Sequence, residues 1–130
     1  MPAFPYSLTP WLNVRDSLRA LDFYKNAFAA EERFRLDNEA SEVVARLAIH
    51  GAEFWLSEES PGYGNFSPES ILGCSVRLIL SVPDPDETVA RAVEAGAELV
   101  CAVTEDHGWR VGRIQDPFGH IWEIARPPQG

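Results

Sequence analysis

The chain has 130 residues and a mass of 14.5 kDa, with 45% hydrophobic and 24% charged residues. That is the size and composition of one compact domain, or of two small modules sharing a core; it excludes collagen, coiled coil and long-range disorder, and needs no disulfide or metal staple. Twenty acidic residues against 11 basic give a net charge of -9, spread evenly over both halves, a field that repels phosphate backbones and argues against nucleic acid as a partner.

In chain order, residues 4–14 read as a strand in which Leu8, Pro10, Leu12 and Val14 alternate with Ser7, Thr9, Trp11 and Asn13. Pro10 marks it as an edge strand or a local irregularity. A helix follows over 16–29, with Asp16 as its N-cap and Leu18, Leu21, Tyr24 and Phe28 on one face. Strands at 32–37, 42–49 and 52–58 complete the half, the last two joined by a turn at His50-Gly51. Pro61, Gly62, Gly64, Asn65 and Pro68 then mark a linker.

The pattern restarts. A strand at 74–82 precedes a helix at 85–95, which is opened by Asp84, Pro85 and Glu87 and stopped by Gly96. Strands at 98–103, 109–115 and 120–126 follow, with a turn at Asp116-Pro117-Phe118-Gly119. An offset of 68 superposes the halves: Leu12, Val14 and Asp16 fall on Leu80, Val82 and Asp84, and Gly51, Phe54 and Leu56 fall on Gly119, Trp122 and Ile124. The expected fold is α+β: a module over 1–59, a linker over 60–72 and a second module over 73–130, each βαβββ, together forming a curved mixed eight-stranded sheet. The concave face of such a sheet is a ligand cleft.

Alternation sorts the faces. Leu8, Leu12, Val14, Phe54, Leu56, Val76, Leu78, Leu80, Trp122 and Ile124 are expected beneath the helices. Ser7, Thr9, Trp11, Glu53, Trp55 and Ser57 are expected on the cleft side, with Ser75, Arg77, Ile79, Ile121, Glu123 and Ala125 from the second half. Arg46 faces the cleft or the solvent; alternation does not choose. Cys74 and Cys101 sit in apolar, strand-like contexts and read as buried free thiols. No signal peptide or span of roughly 20 apolar residues is present, so a cytoplasmic protein is expected, with no membrane partner.

The duplicated βαβββ order, the opening LNVRDSLRALDFYKNAF, the middle YGNFSPESILG and the closing GRIQDPFGHIWEIA resemble the glyoxalase/bleomycin-resistance/extradiol-dioxygenase superfamily, also called vicinal oxygen chelate. The resemblance covers nearly the whole chain. It implies a homodimer, and four cleft-floor positions that hold a divalent metal in metal-dependent members. Here those positions are Thr9, Trp55, Arg77 and Glu123. Only Glu123 keeps a ligand's chemistry, and the permanently charged guanidinium of Arg77 repels a cation. An Arg77–Glu123 ion pair is therefore expected in the metal's place, serving either structure alone or ligand contact. No cofactor is expected, although donors such as Glu53 or His107 leave a route to a divalent metal.

The expected ligand-binding residues are Thr9, Trp11, Trp55, Arg77, Trp109 and Glu123, with Trp109 and Arg110 at the rim. Broad aromatic rings on a concave face suit an apolar or planar small molecule. His50 and His120 read as turn residues. Glu123 and His107, the latter in a TEDHGW loop, are the candidate acid–base groups. Three functions compete. A metal-free binding protein that sequesters an antibiotic suits the tryptophans and the acidic field. A metal-dependent lyase, isomerase or dioxygenase suits the resemblance. A binding protein for an anionic metabolite suits Arg77.

Overall fold

The computed structural model describes residues 4–128. Strand β1 is Trp11–Val14, followed by helix α1 (Ser17–Phe28) and strands β2 (Glu31–Asp37), β3 (Val43–Ile49) and β4 (Ala52–Glu58). The 60–72 segment holds a 3-10 turn at Pro61–Tyr63 and a single helical turn, α2 (Pro68–Ile71). The second half runs β5 (Arg77–Ser81), α3 (Pro85–Ala95), β6 (Glu98–Asp106), β7 (Trp109–Gln115) and β8 (Ile121–Arg126). The two halves repeat the expected βαβββ order, and the fold is the expected α+β class.

The eight strands are divided between two four-stranded sheets, ordered β1-β4-β3-β2 and β5-β8-β7-β6. In each, the first strand pairs parallel with the last and the other pairs are antiparallel. The outer strand β2 carries Glu31, Glu32, Arg33, Arg35 and Asp37 and a bulge at Glu32/Phe34, which protects its free edge from further pairing.

Both long helices begin as their sequences dictate. Asp16 accepts from the Arg19 N–H at 3.1 Å, and Asp84 accepts from the Glu87 N–H at 3.2 Å. Helix α1 ends at Ala29 in the left-handed region, and α3 ends at Gly96. The buried face of α1 is Ser17, Ala20, Leu21, Phe23, Tyr24, Ala27 and Phe28. Leu18, expected on that face, is 41% exposed, because Phe23 and Ala20 bring the apolar stripe around the other side.

One core spans both halves. Tyr24 packs edge-on to Phe54 of its own sheet at 5.3 Å, and against Trp122 of the other at 5.7 Å. Phe28 meets Trp122 at 4.9 Å. Asp116 is the polar pin of this contact. Buried at 3% exposure, it accepts from the Tyr24 hydroxyl, from Trp122 Nε1 at 2.9 Å, and from the Phe118 and His120 N–H groups at 3.0 Å each. The D-P-F-G-H-x-W segment thus makes a turn and fastens α1 to β8 at once. His120 Nε2 adds a 2.9 Å link to the Asn13 carbonyl of β1, as a turn histidine should.

Several expectations are corrected. Residues 4–10 are extended but pair as no strand, and Leu8 is 99% exposed rather than covered by a helix. Pro10 has no N–H to donate and takes part only through its carbonyl, which accepts from the Trp55 N–H at 2.8 Å, and the strand proper begins at Trp11. Val76 is 61% exposed because β5 begins one residue later. The thiols are not buried: Cys101 is exposed on the outer strand β6 and Cys74 is half-buried. No helix among the described residues is long and apolar enough to cross a membrane.

Candidate ligand-binding site

Strand register builds the site, because residues directly opposite each other share a sheet face. In the first sheet, Trp11 lies opposite Trp55, Trp55 opposite Arg46, and Arg46 opposite Phe34. In the second, Ile79 lies opposite Glu123, Glu123 opposite Arg113, and Arg113 opposite Cys101. These rows run across the faces turned away from the helices and are equivalent by duplication. Trp55 corresponds to Glu123 at the 68-residue offset. Arg46 corresponds to Arg113 at 67, because the paired residues Arg113 and Glu123 are one position further apart in the chain than Arg46 and Trp55.

The first row is an aromatic column. The indoles of Trp11 and Trp55 stack at 5.1 Å with planes 10° apart. Trp11 Nε1 donates to Ser57 Oγ at 2.8 Å, which fixes the ring's orientation. The Arg46 guanidinium lies over Trp55 at 5.7 Å, and Phe34 meets Trp55 edge-on at 5.9 Å. Arg46 therefore faces the site, and Glu53 stands 3.7 Å from its Nε. Trp11 is 51% exposed, so the outer face of the stack is free for a further planar group.

The second row is ionic. Arg77 Nη1 donates to Glu123 Oε1 at 2.9 Å, forming the pair expected from the sequence. Arg113 Nη2 donates to the same oxygen at 3.0 Å. Glu123 raises the already high pKa of Arg113 by this hydrogen bond first and by its charge second. Sequence reading had not singled out Arg113. Its signal was alternation with Gly112 and Ile114, and it stayed hidden because a rigid offset of 68 sets Ala45, not Arg46, against it.

Three cavities take in a residue of these rows; one of about 560 Å³ meets them at Ile79 alone, beside Ile49, His50 and Val82, and the other two concern the site. One of about 300 Å³ is lined by Trp11, Val76, Cys74 and His120. The other, about 360 Å³, is lined by Glu53, Phe54, Arg77 and Ile79. They are adjacent, sharing Pro10 and Leu78 in their linings, and this pair of cavities is the candidate groove. A separate cavity of about 430 Å³ beside Pro68 and Asp116 contains no residue of either row.

The remaining expected residues fall elsewhere. Thr9 lies in the exposed extended segment before β1, not on a strand. Trp109 opens β7 on the same face as Arg113 and is 42% exposed. Arg110 forms a bidentate pair with Asp86 at the start of α3, at 2.7 and 2.8 Å, and so is held away from the rows. His107 sits at the tip of the β6–β7 hairpin, its side chain 89% exposed and paired with Asp106 at 2.8 Å.

The donor set does not fit a divalent metal. Of the four positions, two carry Trp55 and Arg77, Thr9 is off the floor, and Glu123 already serves two guanidinium groups. No cluster of three or more His, Cys, Asp or Glu side chains with metal-binding geometry occurs among the described residues.

The sequence matches the model of the glyoxalase-like domain over residues 11–125. The chain belongs to that family. An uncharacterised protein of Mycobacterium bovis is 38% identical over 127 residues, covering 93% of this chain and 83% of the relative. A solved Arabidopsis thaliana gene product superposes with a TM-score of 0.74 at 30% identity, over 95% of this chain and all of that one. TnmS3, an antibiotic binding protein from Streptomyces, shares the fold with a TM-score of 0.70 at 21% identity, over 98% of this chain and 99% of that one. The family membership bears out the resemblance drawn from the LNVRDSLRALDFYKNAF and GRIQDPFGHIWEIA segments.

Proposed function

We propose that this glyoxalase-like protein binds a planar small molecule without a metal, as a homodimer, and that sequestration of an antibiotic-like compound is its role. The observation that carries the reading is the pairing of equivalent rows. One presents a half-exposed tryptophan stack, and the other fills the family's metal position with an Arg77–Glu123–Arg113 network. An exposed indole face contributes about 0.5–1.5 kcal/mol per stacked ring beyond its area, a gain that needs no metal. TnmS3, with the same fold, is described as antibiotic-binding, which supports a ligand of that size class.

A second copy is supported by what the single chain leaves uncovered. Phe4, Tyr6 and Leu8 are 93%, 104% and 99% exposed, and Val76 and Ile79 on and beside the free edge of β5 are 61% and 68% exposed. A run of apolar side chains so fully in water is the mark of an unformed interface. No acid–base role is assigned to Glu123, whose carboxylate is held by two guanidinium groups, or to His107 at its hairpin tip.

The experiment is calorimetric titration of the protein with Zn, Ni, Co, Mn and Fe(II), with Glu123→Ala as control. No stoichiometric uptake is expected. A one-to-one site lost in Glu123→Ala would instead overturn the metal-free reading and favour the metal-dependent lyase, isomerase or dioxygenase alternative.

A further inference from the structure

The charges on the groove point to the class of ligand. Glu123 is the one carboxylate within 4 Å of Arg77 or of Arg113 among the described residues, so two guanidinium groups share a single neutralising oxygen. Glu123 is 17% exposed at its side chain whereas Arg77 is 61% exposed. The carboxylate is therefore spent inward and the guanidinium keeps donors facing the groove. Arg113 Nε and Arg46 Nε, at equivalent positions in the two rows, are buried nitrogens with no hydrogen-bond acceptor. Both nitrogens lack accessible surface, Arg46 stands 3.7 Å from Glu53 and Arg113 holds Glu123, so the donors open to the groove are those of Arg77. Beside the groove, the three guanidinium groups of Arg46, Arg77 and Arg113 stand against the two carboxylates of Glu53 and Glu123, in a molecule whose net charge is -9.

We propose that the ligand is a planar aromatic anion, an aryl carboxylate in the simplest case. Its ring stacks on the free face of Trp11 and its carboxylate accepts from Arg77. This rests on the small-molecule reading above and names the chemistry of that same site. Trp11 lines one cavity and Arg77 the other, and both cavities are lined by Pro10 and Leu78, so the proposed ligand extends from the first into the second past these two residues. The overall acidic field opposes the anion at long range. Within the groove, the short contacts to Arg77 outweigh it, since charges beyond about 8 Å are screened at physiological salt. A cation would meet Arg77, with Glu123 engaged by two guanidinium groups and Glu53 facing Arg46 at 3.7 Å.

Three naphthalene probes of equal ring size test this by calorimetry: 2-naphthoate, 2-naphthamide and 2-naphthylmethylammonium. The expected order is naphthoate tightest, by about fivefold or more over the amide, with the ammonium weakest, as a charge-assisted contact at a half-exposed site allows. Arg77→Met should bring naphthoate to within about twofold of the amide. Trp11→Leu should weaken all three probes alike, because stacking is indifferent to charge. Equal or tighter binding of the amide or the ammonium in the unaltered protein would overturn the anion assignment and leave the aromatic cleft standing. Absence of binding by all three at about 1 mM would overturn the assignment and the small-molecule reading together.

Discussion

Asp116 shows how much one residue organises. Its carboxylate collects four donors, two from side chains on different halves of the chain and two from its own turn. Tyr24 is the far partner. Burial first, and the Asp116 charge second, push its phenol well above the ordinary tyrosine pKa. Because the folded value is raised, the unfolded chain gives up this proton first as pH climbs. The stability that depends on neutral Tyr24 is therefore intact below about pH 10 and is lost as pH rises through the raised folded value. Tyr24→Phe should cost about 1.5–3 kcal/mol in urea unfolding at neutral pH, as expected for a buried hydrogen bond to a charged acceptor, and should flatten the alkaline loss. An unchanged alkaline limb in that variant would place its origin elsewhere. Single residues of the site were unequally legible. Arg77 and Glu123 were legible because opposite charges stood at two of the positions that the resemblance singled out. Arg46 could not be placed, because whether an arginine on a half-buried strand faces water or an indole is decided by the ring opposite it.

At the scale of elements, helices were read well because capping is local chemistry. Asp16 and Asp84 accept the same N3 donors that their spacing foretells. The first strand was overread because alternation is necessary for a strand but pairing is not local. Residues 4–10 alternate correctly but form no strand ladder, the Pro10 carbonyl alone accepting from the Trp55 N–H at 2.8 Å. The 60–72 segment contributes more than length. Pro68 of α2 is buried against the β7–β8 turn, where a Cβ built on Gly119 would lie 2.6 Å from Pro68 Cβ. Gly119 also has φ +93°, as does Gly51 at +91°, but nothing lies within 4 Å of a Cβ on Gly51. Gly51→Ala should thus cost about 1 kcal/mol for its backbone conformation alone, and Gly119→Ala about 3 kcal/mol once the clash is added. Thermal unfolding of the pair checks this; equal losses would mean that the α2 contact yields freely.

For the whole molecule, the duplication was legible because turns, caps and apolar positions recur at one offset. What was not legible is that the eight strands form two hydrogen-bonded sheets, since the gap between β1 and β5 depends on edge geometry that no periodicity records. The uncovered apolar segment predicts a dimer. Sedimentation should give twice the 14.5 kDa chain mass, and replacing Tyr6 and Leu8 together by Ser should weaken association by about tenfold or more. A monomer at all concentrations would remove the second copy from the account.

The most direct test of the central claim is tryptophan emission during titration with planar antibiotics in the presence of excess chelator. Saturable quenching that persists under chelation, and is lost in Trp11→Leu, is the predicted result. Quenching that appears only when a divalent metal is restored would contradict a cleft built to hold its ligand by aromatic and guanidinium contacts alone.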